Sequence, residues 1–501
     1  MQYKNDTEEN KVNLLVTNPD TEYLNKSVMY QMFLRAFTPE GTLKSAERML
    51  PYLADLGIDI VYLCPCFKED ADTDETHWSN RQRASKTGNP KNPYRISDYF
   101  SVDEEYGTNE DLDSFVKKAH SLGIKVALDL VYFHCGPRAV FLEEHPEFVM
   151  HDENGNIEMG EWHFPKLNFE NDGLREYLLE NMCYYIREYD IDGYRCDVGP
   201  GVPLDFWEEG RRRMNALKKE AFLLDEGTAP HYIESAFDLN YETGWGMMLF
   251  KCMIADMRDK KIPNGRKYIT GEYVGETTLG EQFMLCEEEQ YKSSKIPEFW
   301  QYRLDEYKRE GVEVYRVIRG VDNHDTVSDE YELRKDALAD HNILLASLAF
   351  CILIDGVPFL YNGVEFADSA RHSLFSNREY GAMGIDWSTL ATPEGQKRYS
   401  AVKKLIDIRH RVDETSHGDT VWLDVSDKDA VCAFARTKNG NRTVVYANFT
   451  SKPTDVVIDC GGEYTETLFE NDCKVISHGE GKITVSLLPH GCGAVRVNLY
   501  Q

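Results

Sequence analysis

Two stretches of the chain share one pattern. "YLADLGIDIVYLCP" and "KAHSLGIKVALDLV" each carry a helix-period set of apolar residues into Leu-Gly and pass at once into a nearly continuous apolar run. The first helix shows Leu43, Ala46, Met49, Leu50, Leu53 and Ala54, the second Leu112, Phe115, Val116 and Ala119. Those spacings gather the apolar side chains on one helix face. Gly57 and Gly123 stand where C-caps belong. A third unit sets Leu174, Tyr177, Leu178, Met182, Tyr185 and Ile186 before the run "IDGYRCD". Strands buried on both faces and alternating with helices predict a parallel sheet. Read along the chain, the predicted strands occupy 28–34, 58–63, 126–131, 191–195, 222–224, 236–239, 314–320 and 359–361. Eight such strands predict an α/β chain folded as a (β/α)8 TIM barrel.

Two connections exceed the usual length of about two to six residues: 66–98 after the second strand and 135–170 after the third. Long excursions at strand C-terminal ends are where barrels build sites. The segment 259–311, rich in glutamate and tyrosine, reads as a further insertion. After "AVKKLIDIRHRV" the period changes to short alternating runs, with "TKNGN" a hairpin turn. The expected organisation is a catalytic barrel over 1–134 and 171–412, an inserted B domain over 135–170, and a C-terminal all-β sandwich over 413–501.

Length and charge narrow the function. A chain of 501 residues is too long for one core. Its 56 basic and 86 acidic residues leave a net charge of −30, which disfavours nucleic acid and anionic membranes as partners. Twelve scattered cysteines lack the paired spacing of a zinc site or a disulfide framework and fit a reducing compartment. "MQYKNDTEENKVNLL" has no apolar core of a signal peptide, so the expected location is cytoplasmic. Oligomeric state is left open.

Candidate chemistry sits at the predicted strand ends. The third strand leads to Asp129 and His134, the fourth to Arg195 and Asp197, the fifth to Glu226 and the seventh to His324 and Asp325. An Asp after a strand is often only a helix cap, but four coincident strand ends point to one rim. Arg195 beside the central carboxylate argues against a metal site. Cys196, between Arg195 and Asp197, points to the opposite side of the strand. What remains is paired carboxylate chemistry of the kind glycoside hydrolysis uses, one group ionised and one a proton donor. Arg195 is expected to keep Asp197 anionic by charge attraction, and the apolar run before Glu226 suits a general acid.

These residues resemble the α-amylase family, glycoside hydrolase family 13. "DLVYFH", "DGYRCDVG", Glu226 and "VDNHD" are similar to its four motifs, in order, and "VMYQMFLRAF", "SDYFSVDEEYGT" and "GVPFLYNGVEF" are similar to its flanking elements. The resemblance implies a retaining mechanism with Asp197 as nucleophile, Glu226 as acid/base and Asp325 as transition-state stabiliser. It implies that Tyr94 stacks on the sugar and that Asp129, His134, Arg195 and His324 complete the shell, with an α-glucan oligosaccharide as substrate. The family's calcium-ligand asparagine is Phe133 here, so no metal or cofactor is expected. "GPG" replaces the Lys-His pair that many endo-acting members carry, which points to shorter substrates. "FPKLN" is similar to a signature of the neopullulanase and cyclomaltodextrinase group, whose N-terminal β-domain has no counterpart before Val28. A transferase or isomerase on the same barrel is the first rival, and a non-catalytic glucan-binding relative the second.

Overall fold

The computed structural model describes residues 19–266, 273–285, 288–312, 315–327 and 334–500. Eight strands form its central sheet: β1 Met29–Met32, β2 Ile60–Leu63, β3 Lys125–Leu130, β4 Gly193–Cys196, β5 Phe222–Asp225, β6 Leu239–Asn240, β7 Ile318–Arg319 and β8 Val357–Tyr361. Their order is β7-β8-β1-β2-β3-β4-β5-β6, every pair parallel. A parallel bridge from Asn240 to Val317 joins the two ends into a barrel. Strand alternation divides the side chains. Met29, Ile60, Tyr62, Ala127, Leu224 and Phe359 share one inner cluster, while Val61, Leu128, Tyr194 and Leu223 belong to the cluster shared with the helices.

Several predicted elements come out shorter, for local reasons. The first strand stops at Met32 because Leu34–Phe37 turns into a helix. The sixth shrinks to Leu239–Asn240 because the amides of Ala236 and Phe237 bond the Tyr232 carbonyl, closing the helix Pro230–Ser235. The seventh is Ile318–Arg319, and Val314 at its expected start lies outside the described residues, as does the N-terminal stretch 1–18. The helix predicted over Leu43 to Ala54 is two helices, Leu43–Glu47 and Leu50–Leu56, with Pro51 in the first turn of the second. Proline has no N–H to continue the first. Gly57, at φ +97, does close the second helix by donating to Leu53 and Ala54.

The segment 259–311 is not insertion alone. Lys261–Arg266 and Tyr273–Thr278 form an antiparallel pair. Lys295–Arg309, however, is a helix that buries Ile296, Trp300, Leu304 and Tyr307 and leads back to β7. In the 66–98 excursion Phe67–Glu69 pairs with Ile96–Val102, and Asn80–Ser85 is a short helix. The 135–170 excursion is built from turns and isolated bridges such as Val149 to Leu167 and Met159 to Pro165.

Beyond the barrel lie β9 Asp419–Trp422, β10 Val431–Lys438, β11 Asn441–Asn448, β12 Thr454–Asp459, β13 Gly462–Gly479 and β14 Lys482–Leu499, all antiparallel. Asn439 and Gly440, at φ +51 and +79, make the two-residue hairpin between β10 and β11. The first part of β14 pairs with β12 and the last part with β11, and His490, at φ +55, turns the strand between them. The folded sheet encloses Val444, Val456, Ile483, Val485 and Val495. It docks on the barrel through buried Asp355, which accepts from Arg319 Nη2 (2.6 Å), Trp300 Nε1 (2.8 Å) and Thr420 Oγ1 (2.8 Å), with Arg436 Nη1 at 3.9 Å. Among the described residues no helix is long and apolar enough to cross a membrane, and the cysteines are free thiols.

Candidate active site

Because all eight strands run in parallel, their C-terminal ends share one rim. Asp129 ends β3, Arg195 and Asp197 straddle the end of β4, Glu226 follows β5, and His324 and Asp325 follow β7. A cavity of ≈ 410 Å³ opens there, lined by Asp197, Glu226, Asp325, Tyr94, His134 and His324, among others. Asp129 and Arg195 are each 1% exposed and are not among its lining residues. They act from beneath it.

Arg195 organises the floor. Its Nη1 donates to Asp129 Oδ1 (2.8 Å), Asp129 Oδ2 (2.9 Å) and Asp197 Oδ1 (2.8 Å), and its Nη2 lies 2.5 Å from Glu226 Oε1. Tyr62 donates to the same Asp129 carboxylate. Glu226 Oε2 accepts the Val198 amide at 2.9 Å. Val198 holds φ +45, a left-handed conformation that costs a β-branched residue roughly 1–3 kcal/mol. The strain aims its N–H at the glutamate. The first glycine of the following "GPG" has a steric reason: a Cβ on Gly199 would lie 2.0 Å from Asp225 Oδ1, just as one on Gly227, after β5, would lie 2.4 Å from Asp225 Oδ2.

Burial governs the charges. Sequence reasoning expected Arg195 to hold Asp197 anionic, but desolvation pushes the Asp197 carboxyl well up, and Glu226, Asp129 and Asp325 add to it against the pull of Arg195. One guanidinium is divided among three carboxyls, two of them buried. Burial likewise raises Asp129 to about 6 despite Arg195. Asp325 goes the other way: against its partial burial, His324 and Arg81 hold it below the usual carboxylate range. Burial lowers both His134 and His324 to about 4, so both rings are neutral near pH 7. Asp225, facing away from the cavity with neither oxygen hydrogen-bonded, is pushed up to about 8 by burial and then by Glu226.

A hydrogen-bond chain fixes Tyr94, His134 and His324. The Gln31 side-chain Oε1 accepts the His324 amide (3.1 Å), which turns its Nε2 to donate to His324 Nδ1 (2.6 Å). His324 Nε2 therefore carries the proton, which it gives to the Tyr94 hydroxyl at 2.6 Å. Tyr94 donates to Asp129 Oδ2 (3.3 Å). The Tyr94 ring stacks on His324 at 5.4 Å and 16°. His134 Nε2 donates to the Tyr94 carbonyl at 2.7 Å.

Sequence reasoning missed four participants. Gln31 had a visible signal, a lone amide in a fully buried strand. Tyr62 and Val198 had none, being ordinary strand and loop residues in sequence. Arg81 lies in a polar stretch without pattern, yet its Nη1 donates to Asp325 Oδ1 at 2.7 Å. A second cavity of ≈ 520 Å³ meets the first at Glu226 and Asp325 and is lined by Met247, Phe283 and Met284 but not by Asp197. The calcium position does not fit a cation: Phe133 offers no oxygen, and its ring packs against Trp162 (5.9 Å) and over Gly201, where a Cβ would meet it at 2.6 Å.

Residues 5–154 match the family model for the alpha-amylase catalytic domain. The chain is 25% identical over 478 residues to a cyclomaltodextrinase of Geobacillus thermopakistaniensis, covering 90% of this chain and 69% of that protein. It is 23% identical over 482 residues to the alpha-amylase MalA of Haloarcula japonica, covering 92% and 60%. The chain thus spans about two thirds or less of the length of these relatives. A noncanonic maltogenic alpha-amylase, AmyB of Thermotoga neapolitana, superposes with a TM-score of 0.74 at 23% identity over 95% of this chain and 100% of that one. That likeness is one of fold.

Proposed function

We propose that this chain is a glycoside hydrolase of the α-amylase type that cleaves α-glucosidic bonds of short α-glucans by a retaining mechanism. The observation that carries the reading is the single guanidinium of Arg195 in contact with both Asp197 and Glu226. It limits how far apart the two carboxyls can lie, and close carboxyls, roughly 5–5.5 Å apart, distinguish retaining from inverting glycosidases.

In this mechanism the sugar at the bond to be cut rests on Tyr94, with its ring hydroxyls held by Asp325, His134 and His324. With the proton of the pair on Glu226, whose charge would otherwise disfavour it, Asp197 is ionised against Arg195 and attacks the anomeric carbon while Glu226 gives that proton to the glycosidic oxygen. The leaving group departs past Glu226. The second cavity suits it, since it touches the proton donor and not the nucleophile. Water then enters, Glu226 takes its proton, and the oxygen attacks the glycosyl–Asp197 ester, releasing the sugar with its original configuration. Neutral histidines serve this as hydrogen-bonding groups without adding positive charge beside the oxocarbenium-like transition state.

That second cavity also favours a second reading, in which a sugar acceptor occupies it and replaces water. Incubation with maltoheptaose and pullulan, with products identified by chromatography, separates the two. Shorter maltooligosaccharides, or panose from pullulan, mean hydrolysis; products longer than the substrate mean transfer. Asp197→Asn is expected to lose turnover by on the order of 10⁴-fold or more. Undiminished cleavage by that variant would overturn the mechanism.

A further inference from the structure

We propose that Arg81 closes the glycone end of the cavity, so that the enzyme works inward from the non-reducing ends of chains and does not cut within them. The proposal rests on the α-glucan hydrolase reading and assigns its mode of attack.

A chain cut internally must run out of the site in both directions. One direction is open: the second cavity continues past Glu226. The cavity that holds Asp197 is also lined by three segments that do not line the second one: Ser79 to Arg81, Glu161 with Trp162 and Phe164, and Leu374 with Phe375. These segments are tied together. Arg83, on the helix Asn80–Ser85, lies with Nη2 3.2 Å from His163 Nε2. Asn89 Nδ2, from the same excursion, donates to the Phe375 carbonyl at 2.9 Å. The 79–89 stretch is therefore tied to both of the other segments.

Arg81 projects from that stretch across the sugar-binding face. Its Nη1 donates to Asp325 Oδ1 (2.7 Å), and its Nη2 reaches the carbonyls of His324 (3.5 Å) and Asp325 (3.4 Å). The helix behind it is firmly seated. Ser79 caps it by accepting the Gln82 amide, and buried Gln82 donates to the carbonyls of Asn89 and Pro90. A guanidinium fixed on the carboxylate that would hold the ring hydroxyls occupies the space through which a longer glycone would continue. A chain end fits there, and the hydroxyls of its terminal ring meet the donors of Arg81.

The test compares p-nitrophenyl maltoheptaoside with a free non-reducing end against the same compound blocked there by a 4,6-O-ethylidene group. The wild-type enzyme is expected to cleave the free substrate at least 100-fold faster. Arg81→Ala, and Arg81→Met, which keeps the apolar stem should the smaller residue unsettle the fold, are expected to narrow that ratio at least tenfold. Equal wild-type rates on the two substrates overturn the proposal. An unchanged ratio in a folded Arg81 variant overturns the role of this residue. Cleavage of neither substrate by the wild type overturns the hydrolase reading itself, and this proposal with it.

Discussion

Arg195 and Asp225 show how differently two buried charges can be treated. Arg195 is surrounded by acceptors, and its neighbours Asp129, Asp197 and Glu226 were all visible in the sequence because strand ends can be counted. What could not be read there is that burial outweighs its charge at Asp197. Pairwise reasoning about adjacent residues omits desolvation, and desolvation sets the sign. Asp225 has no such company. Its oxygens are wedged against Gly199 and Gly227, and its carboxyl titrates near 8, where an unfolded aspartate titrates at about 3.9. Between those values the unfolded chain is ionised at this position and the folded chain is not, so stability falls as pH rises from about 4 to about 8. Asp225→Asn removes that dependence. Thermal melts should show the variant gaining on wild type steadily from pH 5 to pH 8.5, with a gain independent of pH contradicting the assignment.

At the scale of elements, strand positions were legible and strand ends were not. Hydrophobic runs mark where a parallel strand passes through the core, whereas its length depends on which neighbouring backbone groups remain to pair. Ala236 and Phe237 look like strand residues and cap a helix instead. The helix Lys295–Arg309 was hidden for the opposite reason, its four buried residues spaced by helical turns among charges. Close packing of element on element was also invisible. In the helix Thr243–Ile254, Gly246 lies so near the end of β7 that a Cβ would stand 1.9 Å from the Gly320 carbonyl oxygen and 2.8 Å from the Val321 Cα. Both are backbone atoms, which have little freedom to yield. Gly246→Ala is expected to destabilise the protein by about 1–3 kcal/mol in urea unfolding, and because Met247 lines the second cavity the same shift should raise KM for long substrates more than for short ones.

Across the whole molecule, the C-terminal sheet and the barrel share an ionic joint. Asp355, just before β8, gathers Arg319 from β7 and Arg436 from β10, with Trp300 and Thr420 filling its remaining lone pairs. Such a joint adds less than its charges suggest, yet losing one partner leaves the others buried and uncompensated. Asp355→Ala is expected to cost about 3–5 kcal/mol and to split the calorimetric transition, the sheet separating before the barrel melts. A single unshifted transition would show that apolar contact alone holds the two together. The change in period after Arg411 announced a separate all-β part, but no pattern in the sequence pointed to Asp355, whose four partners come from four separate elements.

The barrel is also not equally strong around its circumference. Between β1 and β2 four consecutive residue pairs are in register, whereas among the described residues β6 and the chain before β7 are joined by the single bridge from Asn240 to Val317. Local opening follows the fewest bonds to be broken, so the ring has a built-in seam. Tyr241, the next residue after β6, borders the second cavity, the exit proposed for the leaving group. On the proposed mechanism the wall between β6 and β7, next to β5 and carrying Asp325 beyond its end, is then the part most free to breathe, and the timing of product escape becomes a property of the seam as well as of the carboxylates.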